Sequence, residues 1–425
     1  MDYYKILNKN ECHNGLQYKF GLNIDPQEFN PSGDCASGGI YFSREDILAF
    51  LDYGPWIRKV TLPEDAQIYE NPNKPKKWKT NRVILGKKEK INLKVIKRLI
   101  NEDANPKVNN SFPLKWAAIN GHTEIVKLLI PLSEPKANNS EALRWAAMNG
   151  HTEIVKLLIP VSNPSANNEA ALLWAACNGY TKIVKLLLPV SDPKANNSMA
   201  LRWAAENGHT EIVKLLIPVS DPNAYDNSAL HWAAKRGHIE IVKLLIPTLN
   251  PKTKDNIALK VATEKGYTEI VKLLIPVSDP NACNSIALRY AAGYGHIDIV
   301  KLLIPVSDPN AYDNSALHWA AKRGHIEIVK LLIPTLNPKT KDNIALKVAT
   351  EKGYTEIVKL LIPVSDPNAC NSIALRYAAG YGHIDIVKLL IPVSEINNKV
   401  IKYCKTHCKD QKILDLITTH NKNHL

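Results

Sequence analysis

One feature constrains this chain above all others. A segment reading Gly-His-Thr-Glu-Ile-Val-Lys-Leu-Leu-Ile-Pro at 121–131 occurs ten times with few changes. Its glycine falls at 121, 150, 179, 208, 237, 266, 295, 324, 353 and 382, always 29 residues apart. An aromatic or β-branched residue keeps the same period, from Trp116, Trp145, Trp174, Trp203 and Trp232 through Val261, Tyr290, Trp319 and Val348 to Tyr377. A fixed period of this length marks one supersecondary unit that buries its apolar face only by stacking on its neighbours.

Each unit reads as helix–turn–helix. In the fourth, Asn197-Ser198 offers side-chain oxygens to cap a first helix over Met199–Asn207. Gly208 suits the left-handed turn at its end. A second helix runs from about Thr210 to Ile217 and stops at Pro218, which lacks an N–H. Helices of two turns are unstable alone in water. Leu201, Ala204, Ala205 and the Ile-Val and Leu-Leu pairs must therefore bury against adjacent units, in a one-dimensional solenoid with end caps. Ile91–Asn101 has the pattern of an N-terminal capping helix, and 399–425 that of a C-terminal capping unit.

The run Ala-Leu-His-Trp-Ala-Ala-x-x-Gly-His-x-Glu-Ile-Val-Lys-Leu-Leu, at 229–245 and 316–332, resembles the ankyrin repeat. The resemblance implies a mainly α fold, an ankyrin-type solenoid of ten 29-residue repeats over 109–398 behind a capping helix at 91–108. Ankyrin units are usually longer. The shortfall lies between Pro218 and Asp226, where the family carries a β-hairpin finger, so turns are expected in its place. Residues 212–307 and 299–394 are identical, offset by 87 positions, the signature of a recent tandem duplication. With its Asn/Lys/Ile-rich composition, the chain is similar to the ankyrin-repeat proteins of giant DNA viruses of the mimivirus type.

Residues 1–90 show no repeat and read as a separate small α+β module. Strand-like stretches occur at Gln17–Phe20, Gly39–Phe42, Trp56–Thr61, Ala66–Tyr69 and Arg82–Leu85. Ser43-Arg44-Glu45-Asp46 resembles a capping box opening a helix through Leu51. Cys12-His13-Asn14-Gly15, followed by Gly38-Gly39-Ile40-Tyr41-Phe42-Ser43, is loosely similar to the ADP-ribosyltransferase pattern. That resemblance implies NAD held between His13 and Tyr41, with Glu70 standing in for the catalytic acid. The alternative is a buried strand after a turn.

Other constellations have plain readings. A histidine column (His122, His151, His209, His238, His296, His325, His383) repeats too far apart for neighbours to share a zinc ion; the expected role is at the start of each second helix. Cys404 and Cys408 flank His407 without a second pair at zinc-finger spacing. Glu124–Lys127 and its counterparts are i,i+3 pairs on a solvated face. Asn109-Asn110-Ser111 and its relatives match glycosylation sequons but suit helix caps. Seven scattered cysteines and no apolar leader point to a reducing interior, the host cytoplasm. The Lys74-Pro75-Lys76-Lys77-Trp78-Lys79 cluster resembles a nuclear-import signal, which makes the nucleus an alternative location. No apolar run is long enough to span a membrane.

The array offers no paired carboxylates, activated nucleophile or phosphate-binding glycine loop. No catalytic residue, metal or cofactor is expected, and the implied function is a non-enzymatic protein–protein interaction scaffold acting as a monomer. By resemblance to ankyrin repeats, the concave face would bind the partner, through the residues before each marker glycine and at the turn opening each first helix. The first set is Lys235, Arg236, Lys265, Tyr294, Lys322, Arg323, Lys352 and Tyr381; the second is Tyr225, Lys254, Tyr312 and Lys341. Two alternatives stand beside this. The N-terminal module is an active or degenerate ADP-ribosyltransferase-like enzyme targeted by the repeats, or the array is a basic nucleic-acid-binding solenoid. The formal net charge of +13 favours nucleic acid, but its dilution along the repeats argues against it.

Overall fold

The computed structural model describes residues 2–31, 38–249, 256–336 and 343–423. They form two compact units, Met1–Asp221 and Pro222–Leu425. The first contains the strand-rich module and four repeats; the second contains six repeats and two C-terminal helices, Asn398–His407 and Gln411–Asn423.

The module is built from short strands: β1 (Tyr3–Leu7), β2 (Cys12–His13), β3 (Leu16–Gln17), β4 (Gly21–Ile24), β5 (Ile40–Phe42), β6 (Trp56–Thr61), β7 (Ile68–Glu70), β8 (Trp78–Thr80), β9 (Arg82–Leu85) and β10 (Glu89–Lys90). One sheet has the order β1-β6-β9-β4, with β10 also on β6; a second is β5-β8-β7, and β2-β3 is a hairpin. All pairings are antiparallel, and β1 lies along β6 with Ile6 opposite Ile57. Leu7, Ile40, Phe42, Val60, Val83 and Leu85 form the core between them. The strand expected at 17–20 is instead two strands, on either side of a break at 18–20. The expected helix after Ser43 is only a 3-10 turn, Ile47–Phe50. Its cap residues are committed elsewhere: Ser43 bridges Tyr4, and Asp46 Oδ2 accepts from the Lys76 N–H at 2.8 Å.

Helix α1 (Leu93–Asn101) follows, capped by Asn92, whose side chain accepts from the Val95 N–H. Arg98 donates two 2.8 Å bonds to Glu89, and Tyr4 Oη donates to Glu102 at 2.8 Å, fastening the module to α1.

Within the repeats the first helix, such as Ala195–Glu206, and the second, such as Thr210–Leu216, bury the expected residues. Leu201, Ala204, Ala205, Ile212, Val213 and Leu216 are inaccessible to solvent. Turns take the place of hairpin fingers throughout the described repeats.

Two local expectations change. Asn196, Asn197 and Ser198 do not cap from an extended conformation; all three lie at left-handed φ of 52–55° inside the first turn. Ser198 Oγ instead accepts from the Asp221 N–H at 2.9 Å, tying its helix to the turn that leads into the next repeat. The seven histidines stand at the start of their second helices, with Tyr180, Tyr267 and Tyr354 in the other three, but their side chains do not cap them. The ring reaches back 32 residues: His151 Nε2 lies 3.0 Å from the Ile119 carbonyl and His209 Nε2 2.9 Å from that of Cys177. A carbonyl only accepts, so that nitrogen carries the proton. The marker glycine is thereby required twice. At Gly121, φ is +72°, and an added Cβ would lie 2.7 Å from His151 Cε1.

Candidate protein-binding surface

The residues singled out on the repeats occupy the two ends of the first helix. In Ala224–Arg236, Tyr225 opens the helix and Lys235 and Arg236 close it, before Gly237 turns left-handed at φ 82°. The right-handed part of the helix, from Ser228 to Arg236, alone separates the two ends by roughly 12 Å. They therefore form two rows rather than one patch.

At the closing end, cations stack on the repeating aromatic. Lys235 Nζ lies 4.3 Å from the Trp232 ring centre and the Arg236 guanidinium 5.7 Å. In the duplicate repeat, Lys322 and Arg323 lie 4.8 and 5.6 Å from Trp319, and Arg323 also sits 4.9 Å over Tyr294 of the preceding repeat. Tyr294 in turn stacks on His296 and meets Tyr290 edge-on; Tyr381 makes the same pair of contacts with His383 and Tyr377. Such cation–π contacts pre-order long side chains that would otherwise lose rotamer freedom on binding. Lys265 and Lys352 each face the adjacent glutamate, Glu264 at 3.6 Å and Glu351 at 3.7 Å.

At the opening end, Tyr225 and Tyr312 are 73% and 67% exposed, and Arg289 lies 4.9 Å over Tyr312. Both tyrosines have φ near +53°, at a position that is asparagine in the first four repeats. Asparagine tolerates this conformation; a bulky side chain there is strained. Lys254 and Lys341 lie outside the described residues.

Sequence reasoning missed His231 and His318, which stack on Trp232 and Trp319 with rings 5.4 and 5.7 Å apart. Burial, then Lys322 and Lys347, push the His318 pKa down, so it is neutral at ordinary pH. The Leu-His-Trp triplet was the available signal. Also unforeseen were Arg289 and the lysine pair Lys260 and Lys347, which lie over Tyr290 and Tyr377 at 5.4 and 5.2 Å.

In the N-terminal module, His13 and Tyr41 do line one cavity. Glu70 is exposed on β7 and is not among its lining residues, and no carboxylate lines the cavity among the described residues. The Lys74–Lys79 cluster is split by the fold: Lys74 and Lys76 are exposed, Lys76 pairs with Glu45 at 3.1 Å, and Lys79 is fully buried on β8.

Similarity to known proteins agrees with this architecture. The family model for ankyrin repeats matches residues 87–168, 131–197, 172–255, 201–284, 259–342 and 335–402. Ankyrin repeat protein R868 of Acanthamoeba polyphaga mimivirus is 37% identical over 134 residues, 30% of this chain and 66% of that protein. Uncharacterized protein R869 of the same virus is 41% identical over 133 residues, 30% of this chain and 96% of its own length. Ankyrin repeat protein R229, also from that virus, is 41% identical over 120 residues, 26% of this chain and 38% of its own. Of the two relatives named for ankyrin repeats, the chain thus spans less than two thirds of the length. Matches running from 87 to 402, together with these relatives, place the chain in the ankyrin-repeat family, among its mimivirus-type members.

Proposed function

We propose that the repeat array is a protein-binding scaffold, acting as a monomer in the host cytoplasm, whose contact surface is the two rows of first-helix residues. One observation carries this reading. The second helices are nearly invariant, whereas the first-helix ends vary and expose large side chains: Tyr225, Tyr312, Tyr294 and Tyr381 are 73, 67, 45 and 58% exposed. Tyrosine and arginine supply a large share of interface hot spots, at about 2 kcal/mol or more for a central residue. Tyr225 and Tyr312, duplicate copies of one position, sit at strained backbone positions while largely exposed, which supports a role in contact rather than in packing.

Residues 1–90 are read as a separate module that accompanies the scaffold. The test compares the full chain with Arg236→Ala, Tyr294→Ala, Arg323→Ala combined, as bait in lysate of infected cells. A specific partner retained by the parent and lost by the variant, with melting temperatures within a few degrees, supports the proposal. Equal capture by both would place the contact elsewhere.

A further inference from the structure

The N-terminal module contains a cavity of about 120 Å³ whose floor includes a lysine where a strand would normally place an apolar side chain. Lys5 lies between Tyr4 and Ile6 in the middle of β1, and it is only 4% exposed. Its ammonium donates to the Tyr41 carbonyl at 2.8 Å and lies 4.6 Å from the centre of the Tyr18 ring. An ammonium has three donors, and burying one without a counter-charge is costly. No carboxylate pairs with Lys5 among the described residues. Its cross-strand neighbour on β6, Arg58, is also buried but has a partner, Glu11, at 3.1 Å; Lys88 approaches the same acid at 3.6 Å. Three cations, Lys5, Arg58 and Lys88, thus accompany two acids, Glu11 and Asp25, the latter acting on His13 and Tyr18, and Lys5 itself is in no ion pair among the described residues. Burial lowers its pKa to about 7.

The rest of the wall is mostly aromatic: Tyr41, Phe42, Phe50 and Tyr53, with His13 set edge-on to Tyr53 at 5.4 Å. Burial, then the nearby Lys5, push the His13 pKa down against an opposing pull from Asp25, so it adds little charge at neutral pH. Lys77 reaches the cavity and lies 5.4 Å over the Tyr41 ring. The volume is close to that of a cavity which holds benzene, about 150 Å³. A dinucleotide is several times too large.

We propose that this cavity binds a small organic carboxylate, its charged head on Lys5 and an aromatic or branched apolar body against Tyr41, Phe42 and Phe50. The head supplies the counter-charge that Lys5 lacks, and the body fills a wall that water wets poorly. The site owes nothing to the repeat array and stands independently of the protein-binding reading.

The experiment is calorimetric titration of the full-length protein with benzoate and isovalerate, with benzamide as neutral isostere and inorganic phosphate as an anion without an apolar body. The carboxylates are expected to bind at least about tenfold tighter than benzamide, a difference of about 1.4 kcal/mol. Phosphate is expected to bind no better than benzamide. Around Lys5 the other titratable groups are Glu11, Cys12, His13, Tyr18, Asp25, Tyr41, Tyr53, Arg58, Lys77, Lys79 and Lys88. At pH 8, Lys5 is the group expected to take up a proton on binding, seen as a heat that changes with buffer ionisation enthalpy. Lys5→Met should abolish both the preference and the proton uptake. Equal affinity for benzoate and benzamide, or no binding of any carboxylate up to about 10 mM, would overturn the proposal. Should Lys5→Met not fold, zero proton uptake by the parent protein between pH 6 and 9 would overturn it equally. Tight binding of phosphate alone would overturn the apolar part of the site.

Discussion

At the scale of single residues, the marker glycines do two jobs that substitution can separate. Gly121 and Gly382 share the left-handed conformation, at φ +72° and +80°, but only Gly121 has the next repeat's ring where a Cβ would go. Gly382→Ala should cost about 1 kcal/mol for the backbone alone. Gly121→Ala should cost about 2–3 kcal/mol, because it also displaces His151 from its bond to Ile119. Denaturant midpoints of the two variants check the difference. The glycine column was legible in the sequence; the ring packed against it was not, since periodicity does not reveal which way a side chain turns. Burial, then His151, lower the His122 pKa below its ordinary value of 6.5. As pH falls below that value, the unfolded chain binds more protons than the folded one, so stability falls. His122→Gln should flatten this slope, measured as urea midpoint against pH from about 7 down to about 5.

At the scale of the element, the first helix explains which expectations failed and why. Helix positions, α1 included, and the buried Ala and Leu faces follow from spacing alone. The start of the first helix does not, because Asn-Asn-Ser can serve either as an extended cap or as a left-handed turn, and tertiary bonds decide. Ser111, Ser140, Ser198 and Ser285 each accept from a backbone N–H 23 residues ahead, at 2.8–3.1 Å. Ser198→Ala should cost about 1–2 kcal/mol by orphaning the Asp221 N–H. Tyr312→Asn should do the opposite, gaining about 1 kcal/mol as a strained left-handed residue is replaced by a tolerant one. On the binding reading it should also weaken partner capture. Higher stability with unchanged capture would leave Tyr312 without a role. The module's strands were half legible for a related reason. Trp56–Thr61 alternates only from Lys59 on, because Ile57 and Arg58 are both buried; Tyr3–Leu7, buried on both faces, shows no alternation, and the cavity depends on strands paired across 49–57 positions.

At the scale of the whole molecule, the duplication allows a sharper test of modularity than truncation. Removing residues 306–392 joins Pro305 to Val393, the same dipeptide found at 218–219, 305–306 and 392–393. The helix Ala282–Tyr294 then meets the C-terminal helices in place of its identical copy at Ala369–Gly380. Arg289 can stack on Tyr403 as Arg376 does at 5.0 Å, and Ser285 can donate to the Glu395 carbonyl as Ser372 does at 2.9 Å. The lost contacts include the stack of Arg323 on Tyr294, the stack of Arg289 on Tyr312 and the 3.1 Å bond from Arg289 Nε to Ser315 Oγ, all at the junction where the duplication set a Lys-Arg repeat after a Gly-Tyr one. In a stack held by nearest-neighbour terms, stability should drop by three repeats' worth and cooperativity should persist. The deletion variant should therefore show unchanged helicity per residue and a single, lower unfolding transition by circular dichroism. A deletion seven residues shorter places a second helix where a first helix must pack. It should aggregate or lose helicity, and equal behaviour of the two deletions would contradict nearest-neighbour stacking as the basis of the fold.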